Sequence, residues 1–115
     1  MRVFVYYNLH KKVWSIRALE GEMKGRVVDH REYVVLNNPV GRVSESGRQR
    51  VIRDKHKNVH AGLVGTLEHD AVFMPPSREI TYNPYKYTSF VYKDTGEPFT
   101  TATIAVLDNR TVCVI

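Results

Sequence analysis

Five side chains suited to holding a phosphate crowd into one short stretch, "SESGRQRVIRDKHKNVHAGLVG": Arg48, Arg50, Arg53, Lys57 and His60. A guanidinium offers a planar fork of donors that matches phosphate oxygens, and an imidazole titrates near neutral pH. If this stretch is a helix, about 100° per residue brings Arg50, Arg53, Lys57 and His60 within about 80° of one another. Arg48 and Lys55 then point toward the opposite side, beside an apolar stripe of Val51, Ile52, Val59 and Leu63. Residues 44–63 hold five Lys and Arg against only Glu45 and Asp54, a surplus of three in a chain whose net charge is +5. A helix stabilised for its own sake interleaves Glu among such cations. The scarcity of acids points to an external anion, against the alternative of a solvated face with Arg48 and Lys55 snorkelling past the core.

A second group lies in "TYNPYKY", where Tyr82, Tyr85 and Lys86 flank Pro84. Tyrosines beside a cation can stack a nucleobase, although tyrosines near a proline also pack their rings on a core and hydrogen-bond their hydroxyls. The expected ligand-binding set is therefore Arg48, Arg50, Arg53, Lys57, His60, Tyr82, Tyr85 and Lys86. If the protein were an enzyme, His60 would be the general base and Arg50 and Arg53 would stabilise charge on a phosphodiester. No carboxylate that would orient His60 can be picked out, so a non-catalytic binder is preferred. A metal is not expected. His56 and His60 are four apart, but His69 and Asp70 complete a ligand set only if the loop folds back, there is no HExxH motif, and a single cysteine excludes thiolate clusters. Neither a Gly-rich phosphate loop nor a GxSxG elbow is present, and no cofactor is implied.

These groups must be positioned by a small number of elements. "RVFVYY" and "VWSIRAL" alternate apolar and polar residues with the period of strands, joined by the polar loop "NLHKK". "GRVVDH" and "EYVVLNN" read as further strand pieces, interrupted by turn residues Asn37, Asn38 and Pro39. Trp14 is assigned to the core. The cationic helix starts at Ser44 or Ser46 and ends near Ala61, about residues 45–61. "LVGTLE" is a candidate strand, "HDAVFMPPS" a loop because of its proline pair, and two hairpins follow, turning at residues 94–96 and at Asp108 and Asn109. The fold class expected is α+β: a bent antiparallel sheet or partial barrel with one main helix packed on it.

At 115 residues the chain fits one domain, residues 1–115. Apolar residues at 43% and charged residues at 25% are a globular balance and argue against disorder. The absence of a long apolar run or a leader-like N-terminus excludes a membrane span and implies a cytoplasmic protein. Cys113 has no internal partner and sits in an alternating segment as a small packed side chain.

The stretches "VYYNLHKKVWSIRA", "GRQRVIRDKHKNVHAG", "YNPYKY" and "DTGEP" resemble a family of small proteins of unassigned role encoded by tailed bacteriophages. That resemblance carries no activity. It implies a phage setting: host takeover, nucleotide metabolism or counter-defence in the host cytoplasm. The preferred function is binding of a nucleotide or nucleotide-derived signal. The alternatives are nucleic-acid binding, a phosphodiesterase-like enzyme using His60, and inhibition of an acidic host protein. Cations outside the central stretch mix with acids, as in "DHRE", which favours a compact anion over a long polyanion. A sheet with one helix leaves edges that a second copy could cover, so a homo-oligomer is expected.

Overall fold

Alternation of side chains across extended backbone dominates this molecule. The structure, a computed structural model, describes residues 1–69 and 77–115. Among the described residues nine strands form one antiparallel sheet: β1 (Arg2–Asn8), β2 (Val13–Ala18), β3 (Val27–Arg31), β4 (Tyr33–Val43), β5 (Ala61–Glu68), β6 (Arg78–Thr81), β7 (Val91–Tyr92), β8 (Ile104–Asp108) and β9 (Thr111–Val114). Their order in the sheet is β3-β2-β1-β5-β4-β8-β9-β6-β7. Val3, Val5, Trp14, Ile16, Leu36, Leu63, Ile80, Leu107 and Val112, drawn from seven of these strands, belong to a single buried cluster. Side chains from β1 and from β9 can share one core only if the sheet rolls over on itself, so the sheet covers its own inner face.

This architecture corrects the α+β expectation. The protein is mainly β, and its helix α1 (Glu45–Asp54) is ten residues long instead of spanning residues 45–61. Ser44 caps the helix by accepting from the Gly47 N–H, and Lys55 ends it in the left-handed region at φ 56°, its N–H donating to the Val51 carbonyl. The physical reason lies in residues 53–58, Arg-Asp-Lys-His-Lys-Asn, which offer no apolar side chain for more than a turn and a half. With nothing to bury there, the helix stops and the chain runs without regular structure to β5. Val59 is then solvent-exposed, and Leu63 faces the core from β5, not from a helix. Only Gly47 and Val51 of the helix are buried, so α1 is a small appendage and does not cover a sheet face.

A second correction concerns Asn37, Asn38 and Pro39. They do not interrupt the strand; β4 runs through them, with a register shift between Asn37↔Thr66 and Val40↔Val64. Two residues, Asn38 and Pro39, stand opposite the one residue Gly65, which is a β-bulge. Asn38 takes φ 51°, and a Cβ on Gly65 would come within 2.9 Å of the Asn37 carbonyl oxygen. The extra residue reverses the inward and outward alternation along the rest of β4. Leu36 faces the core, yet Gly41 packs on Phe90 at the inner face, and Arg42 is thereby turned to the outer face. Without the bulge, Arg42 would point into the core. Part of the expected loop "HDAVFMPPS" lies outside the described residues.

Candidate functional site

On the outer face, β1 and β5 lie between β2 and β4, and one aromatic ring fills the space over them. Phe4 of β1 is buried although it faces outward. Its ring lies across Gly62 of β5: a Cβ there would meet Phe4 Cζ at 2.7 Å, Phe4 Cε1 at 2.8 Å, and the Val5 carbonyl oxygen as well. The pairing Phe4↔Arg17 brings Arg17 in from β2, and Arg42↔Gly62 brings Arg42 in from β4 on the other side. Their backbones stand three strand spacings apart, about 14 Å. Even so, the Arg17 guanidinium lies 5.5 Å and the Arg42 guanidinium 5.9 Å from the Phe4 ring centroid. Arg17 also lies 5.7 Å from the Tyr6 ring. Two cations thus converge on one ring.

Phe4, Arg17 and Arg42 line an open concavity of about 380 Å³ that also takes in Ser44, Val59 and His60. Among the described residues no acid lines it and neither arginine has a carboxylate partner. Such a surface presents two planar donor forks to one volume, with an aromatic floor beneath them. It suits an anion with several oxygens.

The cations expected to act together on the helix are dispersed. Arg53 pairs with Asp54 at 3.1 Å, and its guanidinium holds the Asp54 carboxyl below the usual carboxylate value. Arg50 is exposed on α1, and Lys57 is exposed beyond the end of the helix, so neither faces His60 across a helical turn. Arg48 is committed internally: its Nε donates to the Pro84 and Tyr87 carbonyls, both at 3.0 Å, and its Nη1 to Glu45 at 3.0 Å. The arginine therefore ties the helix to the loop that carries Tyr85 and Lys86. Both of those residues are exposed, and their backbone N–H groups donate to Asn83.

His60 and Tyr82 do meet. His60 Nδ1 lies 3.1 Å from the Asn58 carbonyl, which only accepts, so the neutral ring carries its proton there. Its Nε2 then accepts from the Tyr82 hydroxyl at 2.8 Å. Burial holds the Tyr82 hydroxyl above its ordinary value of 10.0, which keeps it a neutral donor. The His60 Cβ in turn sits where a side chain on Gly47 would be, 2.5 Å from an added Cβ, so the glycine lets α1 close onto the histidine. Of the eight expected site residues, then, Arg48, His60 and Tyr82 are drawn together with the loop at residues 83–87 as a bracing network. The metal set is not assembled among the described residues, and Asp70 lies outside them.

Arg17 and Arg42 were not among the expected site residues. Arg17 carried a signal, since it interrupts the apolar "VWSIRAL" on the face opposite Trp14 and Ile16. Arg42 carried none, because its direction depends on the bulge.

The full chain, residues 1–115, matches the family described as Mycobacterium phage L5 gene 82 protein. This protein belongs to that family. It is 43% identical over 108 residues to the gene 82 protein of Mycobacterium phage L5, covering 86% of this chain and 83% of the relative. No solved structure matches the chain. The phage resemblance read from the sequence is thereby shown. No helix among the described residues of this family member is long and apolar enough to cross a membrane.

Proposed function

We propose that the protein binds a phosphate-bearing small molecule without transforming it, through Arg17 and Arg42 and not through the helix. The observation that carries this reading is the convergence of two arginines, unpaired among the described residues, on the Phe4 ring in an acid-free concavity. An exposed cation–π contact contributes about 0.5–1 kcal/mol. Lying 5.5 and 5.9 Å from one centroid, the two cations are at most 11.4 Å apart, and at an effective dielectric of 20–80 their repulsion costs at least about 0.4–1.5 kcal/mol. The pair is close to break-even when empty, and a bound anion removes the repulsion and satisfies the donors. His60 Nδ1 is oriented by the Asn58 carbonyl and not by a carboxylate, and its Nε2 accepts from Tyr82, so a bound phosphate would have to displace that hydroxyl before the ring could act on it. A phage protein of this kind would act by sequestering a nucleotide or nucleotide-derived signal from the host, a counter-defence role.

The test is calorimetric titration of pyrophosphate, ATP, a cyclic dinucleotide and a short single-stranded DNA at about 50 and 200 mM salt. A charge-assisted hydrogen bond contributes about 1.5–3 kcal/mol, so Arg17→Ala with Arg42→Ala should weaken binding by roughly 10²- to 10⁴-fold. Equal affinity in that double variant, or loss of binding in Arg50→Ala with Arg53→Ala instead, refutes the assignment. Conversion of the nucleotide to product would favour the enzyme reading. Preference for the DNA with a steep salt dependence would favour the nucleic-acid reading.

A further inference from the structure

The inner face opens at one end of the rolled sheet, where β1 and β9 approach. There a second concavity of about 260 Å³ is walled by Tyr7, Trp14, Leu63, Tyr82 and Phe90, with Arg110 also contributing. Three observations set it apart from ordinary core. Trp14 is buried, and its indole N–H has no acceptor, the one buried side-chain polar atom so left among the described residues. Such a group costs about 1–3 kcal/mol, and the other polar groups of the wall are Arg110, Thr81 and the tyrosine hydroxyls. Tyr7 and Trp14 stand edge to face at 5.2 Å, and Tyr82 lies 5.4 Å from Phe90, so the wall is a set of ordered ring surfaces.

The third observation is Arg110. The β8–β9 hairpin closes through a two-residue loop, Asn109 at φ 46° and Arg110 at φ 71°, between the pair Asp108↔Thr111. This turn requires positive φ at both positions and is ordinarily made with Gly at the second. Arginine there is strained, a cost that persists where the side chain has a use. Its guanidinium lies 5.1 Å from the Tyr7 centroid, and it has no carboxylate partner among the described residues.

We infer that this mouth is a binding site for a small planar aromatic anion, its ring held among the aromatic walls that include Trp14 and its acidic group received by the Arg110 guanidinium. The residues differ from those of the Arg17 and Arg42 concavity, so either site can fail while the other stands. Nothing larger than a fragment-sized molecule fits, since this volume lies at the lower limit of ligand pockets.

The chain has one tryptophan, so its ¹H–¹⁵N spectrum contains one indole cross-peak, and that cross-peak reads the site directly. The intact protein would be titrated with benzoate and indole-3-acetate, and with neutral indole as comparison. The expected result is a saturable shift of the indole cross-peak as a ring packs against Trp14, with the anions at about millimolar concentration, and at least about tenfold weaker binding of neutral indole. Arg110→Gly should weaken anion binding at least tenfold with a melting temperature equal to or above that of the parent, because glycine relieves the turn. Absence of a saturable shift, equal binding of indole, unchanged affinity in Arg110→Gly, or a lowered melting temperature in that variant would each overturn the inference.

Discussion

Replacing Arg48 with Met separates structural cations from binding cations most sharply. Methionine keeps the aliphatic stem against the helix and the loop but removes the guanidinium that bridges the Pro84 and Tyr87 carbonyls. The Arg48 side chain is only 14% exposed, so water reaches the abandoned acceptors poorly. The single Nε–H is shared between the two carbonyls, and such a bifurcated charge-assisted bond, at the upper end of its range, amounts to about 3 kcal/mol. The ion pair with Glu45 adds little, because the Glu45 side chain is 58% exposed and solvent screens it. For a chain of this size 1 kcal/mol corresponds to about 4 °C, so the melting temperature should fall by roughly 12 °C. Circular dichroism melts and urea midpoints measure this, with Arg50→Ala as control, expected within about 0.5 kcal/mol of the parent. An Arg48→Met melt within about 2 °C of that control would show that the two carbonyls are solvated without the arginine, and the clamp between helix and loop would be refuted.

Gly62→Ala should cost about 3 kcal/mol in urea unfolding and abolish anion binding, because the added methyl displaces Phe4 and strikes the Val5 carbonyl that pairs β1 with β5. Tyr82→Phe removes the donor to His60 Nε2 and should cost about 1 kcal/mol by thermal unfolding while leaving pyrophosphate affinity unchanged. Burial holds Tyr82 above 10.0, so above about pH 10 the unfolded chain loses its proton first, and stability falls as pH rises; a melting series from pH 8 to 11 should show this, less steeply in Tyr82→Phe. In acid the reverse holds for Asp29, Glu45, Asp54 and Asp94, whose carboxyls are lowered mainly by hydrogen bonds from Arg31, Gln49, Arg53 and Arg78. The unfolded chain takes up protons first as pH falls below the ordinary 3.8 to 4.5, so melting temperature should decline there.

Local periodicity made much of the sheet legible. The alternation of Val3, Val5 and Tyr7, and of Trp14 and Ile16, marks β1 and β2, and Asn109 marks the turn between β8 and β9. The helix length was misjudged because Val59 and Leu63 fall by chance on a helical repeat from Val51 and Ile52, although six polar residues separate the two pairs. A strand following a helix can counterfeit another turn of it when its first inward residue lands on the same phase. Arg48 shows a related limit: periodicity placed it beside the apolar stripe, but not against two carbonyls more than thirty residues later in the chain.

The outer concavity was illegible for a more general reason. Arg17 and Arg42 come from strands that are not neighbours, and they meet only because β1 and β5 intervene with one large and one absent side chain, Phe4 and Gly62. Sheet order is a non-local property, and no window of sequence contains it. Arg42 depends further on the extra residue opposite Gly65, since β4 would otherwise deliver it to the core, where an unpaired guanidinium would be expensive to bury. The bulge and Gly65 thus belong to the construction of the site as much as the arginines do. Deleting Asn38 restores ordinary alternation beyond Leu36, so it must either drive Arg42 inward or shift the whole end of β4. On either course the two guanidinium groups no longer share Phe4, which makes the site sensitive to a residue that touches none of its members.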